Sequence, residues 1–379
     1  MPQPIHPLEA ARRIRDDYIR YLRTTYFFRD EALRRQFVQA LESPGFLVRG
    51  PILEASPPFQ RGRSIAQLIA EGILHPAFHR LCSEALPLER PLYLHQDRAV
   101  EKVVAQRRNV VVATGTGSGK TEAFLIPIFD HLLRQRERGE LRRPGVRALL
   151  LYPMNALAND QLKRLRRMLA AFPEITFGRY TGETPEEQSR AEALFREQFP
   201  EEPLLPNERI SREQMWESPP HILITNYAML EYLLLRPKDS EFFDGETGRF
   251  WRFIVLDEAH TYSGARGIEI AMLLRRLKDR VVRSEPGRLC CIATSATLGR
   301  GRRDFPAVAR FASALFGEPF EWDEQDPKRQ DVIEGVPAKM AALGAPWGEG
   351  TDALYADLIA AMAQGEPLNR LAQVAVARG

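Results

Sequence analysis

Cysteine, lysine and long apolar runs are all scarce in this chain, and each scarcity excludes something. Three cysteines among 379 residues, Cys82, Cys290 and Cys291, supply no disulfide framework, and two of them are adjacent in one apolar run. No stretch approaches the roughly 20 uninterrupted apolar residues of a membrane-spanning helix, so no membrane partner is expected. The opening Met-Pro-Gln-Pro-Ile-His-Pro has no apolar signal core, which points to the cytoplasm. Only 7 of the 53 basic residues are Lys; the dominance of Arg fits phosphate recognition or genome composition equally, and a net charge of +3 is too small to establish a polyanionic partner. There is no internal repeat. Apolar residues make up 44% of the chain, enough for a sizeable core, and the length allows two or three domains.

What is present begins with residues 113–122, Ala-Thr-Gly-Thr-Gly-Ser-Gly-Lys-Thr-Glu. They follow the apolar run Asn109-Val110-Val111-Val112 and lead into Ala123-Phe124-Leu125-Ile126. A β-branched run, a Gly-rich turn and an apolar helix in that order make a P-loop. Glycines let backbone N–H groups turn inward on phosphates, and the helix N-terminus adds the positive end of its dipole. The cradle would be Thr116, Gly117, Ser118, Gly119, Lys120 and Thr121, with Lys120 reaching the β- and γ-phosphates of ATP and the Thr121 hydroxyl on Mg²⁺. Thr114 stands where G-x-x-x-x-G-K-[ST] begins with a small residue, but Gly115, Gly117 and Gly119 keep the loop free to turn.

A second motif selects the chemistry. Arg252 to His260, Arg-Phe-Ile-Val-Leu-Asp-Glu-Ala-His, reads as a buried strand ending in two carboxylates. Asp257 there would hold Mg²⁺, and Glu258 would orient and deprotonate an attacking water, so hydrolysis rather than transfer is expected. His260 taken alone more often reads as a packing or capping histidine. A third apolar strand, Leu289 to Thr294, ends in Ser295-Ala296-Thr297. Such a tripeptide by itself is turn material.

Placed after the P-loop and Asp-Glu-Ala-His, Ser295-Ala296-Thr297 resembles motif III of superfamily 2 helicases, and the chain resembles the first RecA-like lobe of a DEAH-box helicase or translocase. The resemblance implies that Ser295 and Thr297 couple the nucleotide site to a nucleic-acid groove, and that Lys120, Asp257, Glu258 and His260 form the catalytic set. It places an adenine-reading Gln at Gln96 in Tyr93-Leu94-His95-Gln96, 24 residues before Lys120, where a helix-start Gln is the other reading. Leu150 to Gln161, with Pro153 and Asn159, resembles motif Ia; Thr181-Gly182 resembles motif Ib; Ile222 to Tyr227 resembles motif Ic, with Thr225 and the following helix start facing a phosphate. Asp257 to Gly267, followed by Leu273-Leu274-Arg275-Arg276-Leu277, is similar to large bacterial DNA helicases of the repair or phage-defence type that carry a C-terminal four-cysteine zinc cluster. DNA is favoured over RNA by that similarity alone.

Three regions are expected. Residues 1–90 read as a helical N-terminal region, with helical spacing at 8–24 and 30–41. Eight Arg between Arg12 and Arg35 interleave with Tyr18, Tyr21, Tyr26, Phe27 and Phe28, as amphipathic helices packed on a core or as a DNA-contacting arm. Residues 91–320 alternate strands and helices, the α/β pattern of a RecA-like domain with a mainly parallel sheet flanked by helices. Strands are expected near Val110, Leu150, Phe177, Leu223, Val255 and Cys291, and residues 183–220 as a polar insertion with a helix around 186–198. Residues 321–379 read as a helical tail or the start of an inter-lobe insertion, with no visible chemistry.

After Thr297 only 82 residues remain, and no Gln-x-x-Gly-Arg-x-Gly-Arg pattern occurs. The arginine fingers that the resemblance implies would come from a second RecA-like lobe, in cis or in trans, and the chain alone is expected to hydrolyse ATP poorly. Two other readings stand beside the ATP-dependent helicase: a fragment or subunit that binds ATP and nucleic acid without turnover, and a P-loop ATPase of another kind. The last leaves Ser295-Ala296-Thr297 unexplained.

Overall fold

The apolar runs become strands because each is buried on both faces. Val110, Val112, Leu150, Ile224 and Val255 face one core, while Val111, Leu149, Leu151, Leu223, Ile254 and Leu256 face another. This period-two division of uninterrupted apolar segments is what a parallel sheet between two helical layers demands. The computed structural model describes residues 7–43, 45–47, 58–84, 86–115, 117–297, 301–338 and 352–363. They fall into two compact units, Met1–Pro57 and Pro58–Gly379.

The first unit holds α1 (Pro7–Thr25) and α2 (Glu31–Glu42). Asp30 caps α2, its carboxylate accepting from Leu33 N–H at 2.9 Å. Ile19 and Leu41 are buried, whereas Tyr18, Tyr21, Tyr26 and Phe27 stand exposed.

The second unit opens with β1 (Arg61–Ser64), α3 (Ile65–Ala70), β2 (Pro91–Tyr93) and α4 (Leu94–Val100). β1 and β2 pair antiparallel, and Ser64 starts α3 with a reciprocal capping box. The main sheet follows: β3 (Val110–Ala113), β4 (Ala148–Tyr152), β5 (Phe177–Arg179), β6 (Glu208–Arg209), β7 (Ile222–Asn226), β8 (Phe253–Leu256), β9 (Cys290–Ser295) and β10 (Val332–Glu334). All neighbouring pairs run parallel, in the order β10-β3-β9-β8-β4-β7-β5-β6. α4, α5 (Lys120–Glu137) and α6 (Asn155–Leu169) cover one face; α9 (Tyr227–Leu235), α10 (Gly264–Val282) and α11 (Phe305–Phe316) cover the other. α12 (Asp352–Ala363) is a short, partly exposed helix. Among the described residues no helix is long and apolar enough to cross a membrane.

The fold is the expected one: an α/β, RecA-like arrangement with all six anticipated strands in place. Two segments are more built than the sequence suggested. Residues 183–220 carry α7 (Gln188–Gln198), β6 and α8 (Arg212–Glu217). Buried Arg166 pins them, making a bidentate pair with Glu208 at 2.7 and 2.8 Å while lying over the rings of Phe195 and Phe199. Residues 332–334, in a segment that offered no chemistry, form the edge strand beside the P-loop strand. The next few residues pair with 58–60, Gln60 N–H donating to Val336 O at 2.8 Å.

Candidate functional site

In a doubly wound sheet, ligands gather at the carboxyl ends of strands where the winding reverses. Here the chain leaves β3 and returns as β4 on the far side of β9 and β8, so the crevice lies at the ends of β3, β9 and β8. The P-loop opens onto it. Gly117 and Gly119 adopt left-handed conformations, φ +73° and +71°, which side chains rarely tolerate. At Gly119 an added Cβ would also strike the Gln96 amide. Thr116 lies outside the described residues. Thr114 is absorbed without disruption: its hydroxyl meets the Ser118 hydroxyl and its carbonyl accepts from Lys120 Nζ at 3.3 Å.

Lys120 Nζ lies 3.4 Å from Glu258 Oε1, bringing the first residue of α5 to the end of β8. Glu258 itself has φ +50°, ψ 48°, a left-handed backbone that a non-glycine residue holds only under constraint. Thr261 supplies part of that constraint, its hydroxyl donating to Glu258 O at 2.8 Å. Asp257 and Thr121 line one cavity with Tyr152 and Arg164. Burial raises the Asp257 carboxyl above its ordinary range; the Thr294 hydroxyl, donating to it, works in the opposite direction, and the neighbouring Glu258 charge adds to the rise.

The donor set fits a hydrated Mg²⁺. Thr121 and Asp257 offer hard oxygens on one cavity, and the Tyr152 hydroxyl and Glu258 Oε2 are buried without hydrogen-bond partners. No cluster of three His, Cys, Asp or Glu suited to a metal occurs among the described residues. Mg²⁺ needs none, since it keeps waters and shares phosphate oxygens, taking only one or two protein ligands.

His260 and Ser295 join the strands at this crevice. His260 Nδ1 lies 3.1 Å from Ser295 Oγ, and Ser295 Oγ accepts from Thr297 N–H at 3.2 Å. The same imidazole nitrogen is 3.3 Å from Glu258 Oε2, an ion-pair distance without hydrogen-bond geometry. Lys120, Glu258, His260 and Ser295 therefore form one run of contacts from the P-loop to β9. Thr294 enters this run without having been singled out in the sequence. As the residue before Ser295-Ala296-Thr297 it looked like one more strand residue.

Gln96 sits under the P-loop. Its Oε1 accepts from Tyr93 N–H at 2.7 Å, and its Nε2 donates to Gly119 O at 2.8 Å and to Glu122 Oε2 at 3.3 Å. With both Nε2 hydrogens engaged inside the protein, Gln96 could donate to adenine only by exchanging one of these bonds, while Oε1 keeps a lone pair free to accept. His95, which the sequence gave no reason to choose, holds the preceding loop carbonyl: its Nε2 donates to Ser118 O at 2.8 Å. Burial lowers its pKa, which keeps the ring neutral with the proton on Nε2.

The residues expected to meet nucleic acid lie on the other half of the sheet, at the ends of the adjacent strands β4, β7 and β5. Pro153 follows β4, Asn159 lies on the first turns of α6, and Gly182 is exposed in the turn after β5. Thr225 requires a correction. It is fully buried, and its hydroxyl donates to Tyr180 O at 2.6 Å, tying β7 to β5, so it presents nothing to a phosphate. The helix start beyond it is closed by Asn226, whose Oδ1 accepts from Met229 N–H at 2.8 Å.

Comparison with known proteins gives this arrangement a family. The chain is similar to Druantia protein DruE of Escherichia coli (strain UMEA 4076-1), 30% identical over 394 residues that cover 82% of the chain and 21% of DruE. It is similar to the ATP-dependent helicase Lhr-Core of Methanothermobacter thermautotrophicus, 29% identical over 65% of the chain and 25% of that protein. It thus spans only about a fifth to a quarter of the length of these relatives. Among solved structures, the DUF1998 helicase MrfA bound to DNA shares the fold, with TM-score 0.51, 24% identity, and coverage of 75% of this chain and 32% of that one. The family model described as DEAD/DEAH box helicase matches residues 93–305, more than half of the chain and the whole run from Tyr93 past Thr297. The chain belongs to the DEAD/DEAH box helicase family.

Proposed function

We propose that this chain is the ATP-binding and ATP-hydrolysing lobe of an ATP-dependent DNA helicase or translocase, and that it works with a second RecA-like lobe supplied in cis or in trans. The observation that carries this reading is the contact run Lys120–Glu258–His260–Ser295, which joins a phosphate-binding loop to a candidate base and to the strand beyond it. Relatives named as ATP-dependent helicases support the activity. DNA rather than RNA rests on the likeness of Asp257–Gly267 to bacterial DNA helicases.

In this reading Lys120 leaves Glu258 and turns to the β- and γ-phosphates of ATP when they enter the loop. Glu258, released from that pair, is left with an unbonded oxygen and accepts the proton of the attacking water. Thr121 and Asp257 would hold Mg²⁺, which would supply positive charge against the phosphate oxygens. His260 senses the position of Glu258 and passes it to Ser295 and Thr297. Gln96 and His95 keep the loop carbonyls in place, and Gln96 can donate to adenine only after letting go of Gly119 or Glu122. Nucleic-acid backbone lies along Pro153, Asn159 and Gly182, whose small polar or backbone groups suit phosphates and carry no base information.

Steady-state hydrolysis by the full chain, with and without single-stranded DNA, tests the reading. Turnover below about one per second is expected without the second lobe. Lys120→Ala should lose ATP affinity, whereas Glu258→Gln should keep it and lose turnover by about a hundredfold or more. Unchanged turnover in Glu258→Gln would remove Glu258 as the base.

A further inference from the structure

Five side chains form a continuous polar chain across the carboxyl ends of β7, β4 and β5. Asn226 Nδ2 donates to Asn155 Oδ1 at 2.7 Å. Asn155 Nδ2 donates to Glu183 Oε1 at 3.0 Å, and the other carboxylate oxygen accepts from Arg179 Nη1 at 2.9 Å. The same guanidinium nitrogen also donates to Asn159 Oδ1. Asn155 and Asn159 lie on the first turns of α6, Arg179 ends β5, and Glu183 stands in the turn that follows it.

Glu183 is oddly placed for a face that meets a polyanion. Its side chain is 52% exposed, while that of Arg179 is only 19% exposed. A half-exposed ion pair contributes little to stability. Yet the carboxylate collects an amide N–H on one oxygen and a guanidinium N–H on the other, the donors that two oxygens of a phosphate would take. Beside it, Gly182 has no positive φ and an added Cβ would meet nothing within 4 Å, so there is open room for a backbone to approach.

We propose that Glu183 fills, as an internal stand-in, a phosphate seat built by Asn155 and Arg179, and that a nucleic-acid backbone binds this lobe by displacing it. The proposal rests on the nucleic-acid reading given above. It assigns Arg179 and Asn155 as phosphate ligands and makes Glu183 a filter against weakly held anions: a ligand must bring enough other contacts to evict the carboxylate. The Asn155 amide, and after it Arg179, hold the Glu183 carboxyl below its ordinary range, so the seat is occupied by a charged group at neutral pH.

Fluorescence anisotropy with a labelled oligothymidylate, over a series of salt concentrations, tests this on the full chain. Glu183→Gln should tighten binding by about threefold to tenfold at low salt. It should leave the slope of log affinity on log salt nearly unchanged, because the same phosphate meets Arg179 in both proteins once Glu183 has been displaced. Glu187→Gln, an equal change of charge on the neighbouring exposed residue, should move neither. In an Arg179→Ala background the gain from Glu183→Gln should vanish. Equal tightening by Glu187→Gln, or no tightening by Glu183→Gln while the wild-type chain binds, overturns the phosphate seat and leaves the helicase reading intact. Absence of binding by every variant and by the wild type overturns both.

Discussion

Replacing Thr294 with Val keeps the shape of a fully buried side chain and deletes one hydroxyl. That hydroxyl donates to Asp257 Oδ1 and accepts from Glu258 N–H at 3.4 Å. Asp257 already stands above its ordinary pKa of 3.8 because burial disfavours its charge, and the Thr294 bond is the largest restraint on that rise, ahead of the Glu258 N–H and the Lys120 charge. A hydrogen bond to a charged group contributes about 1.5–3 kcal/mol. Its loss should therefore lift the Asp257 carboxyl further. The sign of the stability effect follows from the direction of the shift. A carboxyl whose folded pKa is raised is favoured by folding in its protonated form. Its contribution is complete below the unfolded pKa and is lost as pH rises through the folded value. Thr294→Val should thus cost about 1.5–3 kcal/mol at neutral pH, where a charged carboxylate loses its donor, and about 0.5–1.5 kcal/mol in acid. Urea denaturation at the two pH values measures the difference, and the acid limb of the ATP hydrolysis profile should move to higher pH. A cost that does not change with pH, together with an unmoved acid limb, would show that Thr294 does not act on the Asp257 charge.

The nucleotide half of the site was legible in the sequence because its chemistry demands contiguous, uncommon combinations. A glycine-rich turn before Lys120-Thr121 and an Asp257-Glu258 pair after an apolar strand have few other uses. Five of the six anticipated strands were legible for a related reason, burial on both faces requiring apolar runs, while β5 is the short Phe177-Gly178-Arg179. The edges escaped notice. β6 is two charged residues, Glu208 and Arg209, held by an ion pair to Arg166, and β10 is three residues in an acidic stretch; neither has a pattern long enough to read. The nucleic-acid half was less legible, since phosphates are met by short hydroxyls, amides and glycine, the same residues that build turns. Thr225 was misread for that reason: a hydroxyl at a strand end suits a phosphate and suits a neighbouring carbonyl equally, and here the Tyr180 carbonyl has it. His95 and Thr294 act through contacts 23 and 37 residues away, which no local pattern encodes.

Two further substitutions separate folding from binding on the face formed by β4, β7 and β5. Thr225→Val removes the buried tie to Tyr180 O and should lower stability by about 1–3 kcal/mol in thermal or urea unfolding, with DNA affinity of the folded protein changed by less than about twofold. A large affinity loss at intact stability would return Thr225 to the groove. Gly182→Ala should do the reverse. Gly182 is exposed, its φ is not positive, and a new methyl would touch nothing within 4 Å, so folding should change by no more than about 0.5 kcal/mol. Since no neighbour inside the protein needs that room, a glycine there matters only if something outside comes close. A methyl group in the path of a phosphate should weaken oligothymidylate binding by about threefold or more, while ATP affinity measured without DNA stays as it was. If the variant binds DNA as tightly as the wild type, the turn after β5 is not part of the nucleic-acid path, and the seat at Asn155 and Arg179 beside it loses its approach.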